Sequence, residues 1–216
     1  MRTIINGGQQ DEAWRKLRLG CATASNFGTV QAKGRSSSES LTRRKYLVTR
    51  ALEIVTGVPT VPMRPSRAMQ VGIDREPDGC RAFENATGHL VEHVSFVRLN
   101  RMAVGCSPDG LIDDDAGFEI KCPDEDTHYD YLSLVDKPPA VYIAQVQGCL
   151  FVTGRSHWYF ASYNPAFPPE LQLHYVRVER DEDYIAKLET ALWLFSSEVS
   201  TTVQELRQLM QQRSAL

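Results

Sequence analysis

Two stretches, Cys106-Ser107-Pro108-Asp109-Gly110-Leu111 and Gly117-Phe118-Glu119-Ile120-Lys121-Cys122, flank a short acidic turn, Asp113-Asp114-Asp115. Leu111 and Ile112 read as the end of one strand. Phe118 to Cys122, alternating apolar and charged, reads as the return strand. Successive strand side chains point to opposite faces, so Glu119 and Lys121 share a face. Asp109 lies on the neighbouring strand or at its end. The hairpin can therefore bring two carboxylates and one ammonium to one spot. Two carboxylates hold a hard divalent cation. A lysine beside them orients or deprotonates a water, because partial burial lowers its pKa. A cation with an activated water is the apparatus for hydrolysing a phosphodiester. Taken singly, Asp-Gly is a common turn pair and Glu-Ile-Lys an ordinary amphipathic strand. The reading rests on both together: Ser-Pro-Asp-Gly, then Glu-x-Lys-Cys-Pro across a short turn.

The surroundings suit such a site. The chain has 216 residues, 42% hydrophobic and 24% charged, enough for one globular domain with a sizeable core. It holds no apolar run long enough to span a membrane, and residues 1–8 lack the apolar core of a signal peptide. Five cysteines, at 21, 80, 106, 122 and 149, include no Cys-x-x-Cys pair. That argues against a disulfide scaffold or zinc site and for a cytoplasmic protein. The formal net charge is −3, but residues 1–67 carry +8 and the remainder −11. A basic third beside an acidic remainder fits a protein that holds phosphates with one part and cations with the other; solvated helix faces would produce the same asymmetry.

In chain order, 11–19 reads as a short helix stopped by Gly20, with Thr23-Ala24-Ser25-Asn26 capping another. An arginine just before a fresh helix N-terminus, here Arg18 before Ser25, is a seat for a phosphate. Residues 31–40 form a basic loop. Ser40 caps a helix over 41–56, with Leu47, Val48, Ala51, Leu52 and Val55 inward and Gly57 closing it. The proline-bearing stretch 58–66 is a connector. A second long helix, 68–87, carries Glu76, and Pro77 inside it predicts a kink or a later start. Strands follow over 89–99 and 102–112; His89 and His93, four apart in a strand, read as ordinary surface or core histidines. Helices over 127–135 and 140–152, strands over 157–163 and 171–178, and a helix capped by Asp181 and running to about Gln211 complete the chain. Tyr184, Leu188, Leu192 and Phe195 form the last helix's stripe. Gln145 and Gln147 lie in an otherwise apolar helix and need polar partners.

Pro108-Asp109 with Glu119-Ile120-Lys121 resembles the PD-(D/E)xK nuclease signature. The whole chain resembles the lambda-phage-type alkaline exonucleases, a YqaJ-like viral recombinase group within that superfamily. The likeness runs through 11–20, Thr23-Ala24-Ser25, 106–111, 119–123, Ala144-Gln145-Val146-Gln147, Trp158-Tyr159-Phe160-Ala161, 173–176 and 179–182. It implies an α/β (α+β) fold: a restriction-endonuclease-like core over about 68–180, with a mixed central β-sheet flanked by helices. N-terminal helices that bind DNA ends and a C-terminal helix complete a single nuclease domain over 1–216. The implied activity is processive 5′→3′ digestion of one strand of linear duplex DNA, leaving 3′ overhangs for recombination by single-strand annealing.

The cofactor implied by the resemblance is Mg²⁺, with Mn²⁺ as a substitute and two ions per active site. Asp109 and Glu119 match the metal carboxylates, the Ile120 carbonyl takes a third ligand place, and Lys121 matches the catalytic lysine. Glu76 falls at a glutamate facing a metal or its water, and Gln145 at a glutamine beside the water. Arg18, Ser25 and Ser107 fall at positions gripping the 5′ phosphate, and Arg35 at a loop arginine near DNA. Trp14 and Met69 fall where the family splits or positions the terminal base pair. Here Met69 replaces another apolar residue and Pro77 follows Glu76, two departures from the pattern. A homotrimeric ring around duplex DNA and a single-strand annealing partner are implied as well, with no membrane role and a bacterial or phage-encoded origin. Two other readings stay open: an endonuclease of the same superfamily, and a DNA-binding module with a vestigial site.

Overall fold

A computed structural model describes residues 2–9, 11–34, 40–60 and 66–214. Half of the basic 31–40 loop, including Arg35, and most of the 58–66 connector therefore lie outside the described residues.

The expected mixed sheet flanked by helices is present, as two four-stranded sheets. The first has the order β1 (Arg2–Ile5), β3 (Phe96–Leu99), β4 (Val104–Cys106), β2 (Ala22–Thr23). The second has the order β5 (Gly110–Ile112), β6 (Ala116–Lys121), β7 (His157–Tyr163), β8 (Leu173–Glu179). Both are mixed: β2 runs parallel to β4 and β6 parallel to β7, and the other pairs are antiparallel.

The strand expected over 102–112 is thus broken. Pro108 has no N–H to give a ladder, so pairing stops at Cys106 and resumes at Gly110. Ser107, Pro108 and Asp109 carry the chain from one sheet to the other. The strand expected over 89–99 shrinks to β3, preceded by a lone bridge between Glu92 and Leu111. β1 was not expected. It is short and mostly exposed and shows no alternation, yet it pairs along its length with β3, from Arg2 opposite Leu99 to Ile5 opposite Phe96.

Seven helices wrap the sheets among the described residues: α1 (Glu12–Leu17), α2 (Phe27–Gln31), α3 (Leu41–Thr56), α4 (Arg67–Thr87), α5 (Glu125–Leu132), α6 (Ile143–Thr153) and α7 (Glu182–Ser214). Their starts are set by side-chain caps: Asp11 on Trp14 N (2.7 Å), Ser40 on Arg43 N (3.4 Å), Ser66 on Met69 N (3.2 Å) and Asp181 on Tyr184 N (2.9 Å). α5 begins two residues earlier than expected because Asp124 caps it. Gly57 and Gly88 close α3 and α4 in the left-handed conformation. α4 continues through Pro77, which leaves the Ile73 carbonyl without its usual helical donor.

The larger core lies among the first sheet, β7 and β8 of the second, α2, α3, α6 and α7; Phe27, Leu150, Trp158, Leu188, Leu192 and Phe195 are fully buried there. A smaller core, around Phe83, Phe118 and Ile120, lies between α4 and the second sheet. In α3 the inward face differs from expectation. Leu47 and Ala51 are buried, whereas Val48 and Leu52 are 36% and 41% exposed. A buried ion pair occupies the flank instead, Arg50 to Glu53 at 2.9 Å. Glu53 also accepts the Gly20 amide (2.8 Å) and the Thr60 amide (2.8 Å), fixing the turn between α1 and β2. α4 sits tightly on β6: a Cβ at Gly79 would come within 2.4 Å of Ile120 Cδ1. That close approach brings Glu76, one turn earlier, toward the edge of β6.

Candidate active site

The β5–β6 ladder ends at Gly110 opposite Phe118. Beyond it, β6 has no strand partner on that edge among the described residues. The Asp109 side chain takes the strand's place, its Oδ2 accepting the Ile120 amide at 2.7 Å. The carbonyl of a strand residue points to the same edge as its amide, so Ile120 presents its oxygen beside Asp109. Arg155 secures the turn of this hairpin, donating to the carbonyls of Ile112 (2.9 Å), Asp113 (2.8 Å) and Ala116 (2.7 Å). Nothing in the sequence around Gly154-Arg155 signals that role.

Glu119 is 2% exposed. Its Oε1 accepts from both Lys121 Nζ and Gln145 Nε2, and its Oε2 is buried without a hydrogen-bond partner among the described residues. A buried, uncompensated carboxylate oxygen is costly, and a cation resolves it. Burial and the neighbouring Asp109 push the Glu119 carboxyl up to about 7. Burial, reinforced by Glu76, pushes Asp109 up to about 6 despite Lys121. Burial raises Glu76 too, opposed by Lys121 and reinforced by Glu119. The expectation of a lowered Lys121 is overturned. Burial alone would lower it, but the charges of Glu119 and Asp109 override burial and hold it as an ammonium. Lys121 Nζ also lies 5.2 Å from the centre of the Tyr142 ring, a cation–π neighbour that the sequence reading missed.

Asp109, Glu119 and the Ile120 carbonyl would make an all-oxygen donor set, of the kind that suits Mg²⁺ or Mn²⁺. Among the described residues, no three His, Cys, Asp or Glu side chains are close enough to share an ion. A hard cation here would complete its shell with water, as Mg²⁺ ordinarily does.

A second cluster sits two residues upstream. Arg18 stacks over the buried Trp14 ring, its Cζ 4.1 Å from the ring centre. Trp14 Nε1 (2.8 Å) and Arg18 Nη1 (2.9 Å) both donate to Ser107 Oγ. With both lone pairs engaged, that hydroxyl keeps its proton to donate outward. Thr23, expected to cap a helix, makes no cap and instead accepts from Arg18 Nη2 (3.4 Å) and Asn26 (3.3 Å). Asn26 in turn donates to the exposed Ser25 (3.3 Å), which ties Ser25 to the Arg18 cluster. Met69 is 60% exposed in the first turn of α4, seven residues before Glu76 and so on the same helix face, about 10 Å away along the axis. Arg35 lies outside the described residues.

The histidines and glutamines find their own partners. His93 Nδ1 lies 2.9 Å from the Asp109 carbonyl, and His89 bonds the Tyr159 hydroxyl at 3.2 Å. Gln147 donates to the Glu179 carbonyl (2.9 Å) and accepts the Asp181 amide (3.0 Å), a structural role. A cavity of about 410 Å³ opens beside Asp109, lined by Glu76, His93, Gln9 and Ile120 among others.

The model of the YqaJ-like viral recombinase domain matches residues 13–156. The chain belongs to the YqaJ-like viral recombinase family. The match spans every candidate site residue from Trp14 to Gln145. This YqaJ-like protein is also similar to the crystal structure of the alkaline exonuclease LHK-Exo from Laribacter hongkongensis. The two share 30% identity over 94% of this chain and 99% of that one, with a TM-score of 0.84. The same enzyme solved in complex with dAMP matches equally well. A phage-related exonuclease from Haemophilus somnus 129PT shares the fold, with a TM-score of 0.66 at 12% identity over 86% of this chain and 96% of that one. ExoD, an uncharacterized protein of Escherichia coli (strain K12), is 37% identical over 67 residues, which are 31% of this chain and 76% of ExoD. The family and these neighbours make the fold of the PD-(D/E)xK type, built here on two mixed sheets. Among the described residues, no helix is long and apolar enough to cross a membrane.

Proposed function

We propose that this chain is a metal-dependent exodeoxyribonuclease that degrades one strand of linear duplex DNA from its 5′ end and leaves 3′ single-stranded overhangs. The observation that carries this reading is the spacing of Ser107 and Asp109: the Trp14–Arg18–Ser107 cluster lies two residues from a candidate metal carboxylate. A terminal phosphate held by Arg18, Ser107 and Ser25 sets the next phosphodiester over Asp109 and Glu119. An enzyme that cuts within duplexes has no need of such a seat.

Asp109, Glu119 and the Ile120 carbonyl would hold Mg²⁺, with Mn²⁺ as a substitute. When bound, the ion supplies positive charge to the phosphate oxygens and acidifies a water. Lys121, held as an ammonium, stabilises charge developing on the phosphate rather than removing a proton. Gln145 orients Glu119. Glu76 faces the same cavity as Asp109 and acts through water, on a second ion if two are present. Met69 offers an exposed apolar side chain to the terminal base pair, and Trp14 supports Arg18 from beneath. Arg35, outside the described residues, would add a DNA contact. The chain acts as a single nuclease domain, assembles as a ring of three around the duplex, and passes its 3′ strand to a single-strand annealing protein.

The test is digestion of end-labelled linear duplex beside closed circular duplex, each with Mg²⁺ and with chelator. The expected result is Mg²⁺-dependent release of nucleotides from 5′ ends of the linear DNA alone. Cutting of the closed circle would make the protein an endonuclease. No release under any metal would leave it a binding module. Light scattering at micromolar protein tests the ring: a particle of 24.3 kDa, the mass of one chain, would exclude it.

A further inference from the structure

The segment that carries Asp109 belongs to neither sheet. Pairing of β4 ends at Cys106 and pairing of β5 begins at Gly110, so the carbonyls of Pro108 and Asp109 have no ladder partner. Both are nevertheless bonded, each by a side chain from elsewhere. Gln9 Nε2 donates to the Pro108 carbonyl at 2.8 Å, and its second proton goes to the Val94 carbonyl at 3.0 Å. His93 Nδ1 lies 2.9 Å from the Asp109 carbonyl. A carbonyl only accepts, so Nδ1 carries the proton and His93 is the donor.

These two carbonyls belong to the peptide planes on either side of the Asp109 Cα. Fixing both planes fixes the two backbone dihedrals of Asp109, and with them the direction of its side chain. The anchors themselves are well founded. Gln9 follows a loop tied to β3 by the Ser95 hydroxyl on the Gly8 carbonyl (2.9 Å) and the Ser95 amide on the Ile5 carbonyl (2.9 Å). His93 lies beside Glu92, which exchanges two 2.8 Å backbone bonds with Leu111. Both clamps are therefore tied to the 92–95 stretch, His93 by the chain and Gln9 by hydrogen bonds, and both end on the crossing segment.

We propose that Gln9 and His93 are positioning residues that aim the Asp109 carboxylate at the metal. They do so through its two flanking peptide planes, without touching the ion. This rests on the reading of Asp109 as a metal ligand. Gln9 lies outside the region matched by the family model, and His93 reads in the sequence as an ordinary histidine. Partners that orient a ligand typically change metal affinity about 10- to 100-fold when lost.

The experiment measures Mg²⁺ binding to the full chain without DNA by calorimetry, together with the Mg²⁺ concentration for half-maximal digestion and the melting temperature. Gln9→Met keeps the shape of the side chain but loses both donors. His93→Leu loses its donor. His93→Asn keeps one, because the Asn amide nitrogen stands the same number of bonds from Cβ as Nδ1. Expected are a roughly tenfold loss of Mg²⁺ affinity in Gln9→Met and His93→Leu, a matching rise in half-saturation, and recovery of most of the rate at high Mg²⁺. His93→Asn should remain within about twofold of the parent. Unchanged Mg²⁺ affinity in His93→Leu, with or without a lower melting temperature, overturns the proposal. So does a His93→Asn as impaired as His93→Leu. His93 is exposed, so its pair of variants decides the matter even if Gln9→Met fails to fold. Asp109→Asn separates the two readings. If it binds Mg²⁺ like the parent, the metal site is wrong; if it alone loses Mg²⁺, only the positioning role falls.

Discussion

Ser107 and Asp109 share one three-residue crossing between two sheets, yet serve different clusters: Ser107 Oγ accepts from Trp14 and Arg18, while Asp109 Oδ2 accepts the Ile120 amide. The proposed phosphate seat and the proposed metal site would thereby be held at a fixed separation by two peptide bonds.

Arg18→Ala tests that coupling. A charge-assisted bond to a phosphate contributes about 1.5–3 kcal/mol, or about tenfold or more in rate. Arg18→Ala should slow digestion of 5′-phosphorylated duplex by about that factor and affect a 5′-hydroxyl duplex much less. Initial rates of both proteins on both ends, at one salt concentration, give the answer. Equal slowing on both would reduce Arg18 to a general backbone contact.

Substitutions at the hairpin should divide by role. Asp109→Ala and Glu119→Ala should lose both Mg²⁺ binding and cleavage. Lys121→Ala should lose turnover while Mg²⁺ still binds, because an ammonium acts on phosphate charge rather than on the ion. Calorimetry beside single-turnover digestion separates the two classes. Loss of Mg²⁺ binding in Lys121→Ala, or near-normal rates in any of the three, would contradict these roles.

The raised carboxyls give the pH dependence a definite sign. Asp109 and Glu119, held near about 6 and about 7, keep protons that an unfolded chain has already released. Their contribution to stability is full below the ordinary carboxylate range and is lost as pH rises through about 7. Without metal, the melting temperature should therefore fall between about pH 4.5 and 7.5 and then level off. A cation must displace the same protons, so Mg²⁺ affinity should climb through that window and flatten above it. Melting curves and Mg²⁺ titrations of the parent and Glu119→Gln check this. A parent as flat as Glu119→Gln would refute the assignment.

Gly79→Ala probes the seating of α4. The added methyl would meet Ile120 Cδ1 at 2.4 Å and Tyr163 Cβ at 2.9 Å. Overpacking of this kind typically costs about 1–3 kcal/mol, or about 2–4 °C of melting temperature per kcal/mol in a chain this long. Because Ile120 also presents the carbonyl of the candidate site, Mg²⁺ affinity should fall along with stability. An unchanged melting temperature would mean that α4 shifts freely.

Much of this was legible in the sequence because local rules dominated. The Phe118 to Lys121 alternation, the Ser40 and Asp181 caps and the Gly57 stop each act within a few residues. Long-range features were not legible. β1 has no pattern of its own and becomes a strand only because β3 offers an edge. The break at Pro108 was signalled by the proline, yet that the two halves enter different sheets depends on partners far away in sequence. The charge state of Lys121 went the other way from expectation because burial was weighed without its two carboxylate neighbours. Thr23 looked like a cap until Arg18 claimed its hydroxyl.

The crossing between β4 and β5 also sets a rule for chain length. Both ends are fixed by ladders, at Cys106 and at Gly110, so one residue more or fewer between them would change the spacing of Ser107 and Asp109. It would also pull the Pro108 and Asp109 carbonyls away from Gln9 and His93. Single-residue insertions and deletions should thus be rejected here while equal changes in exposed connecting stretches are accepted. The segment is a ruler, and its reading is three residues.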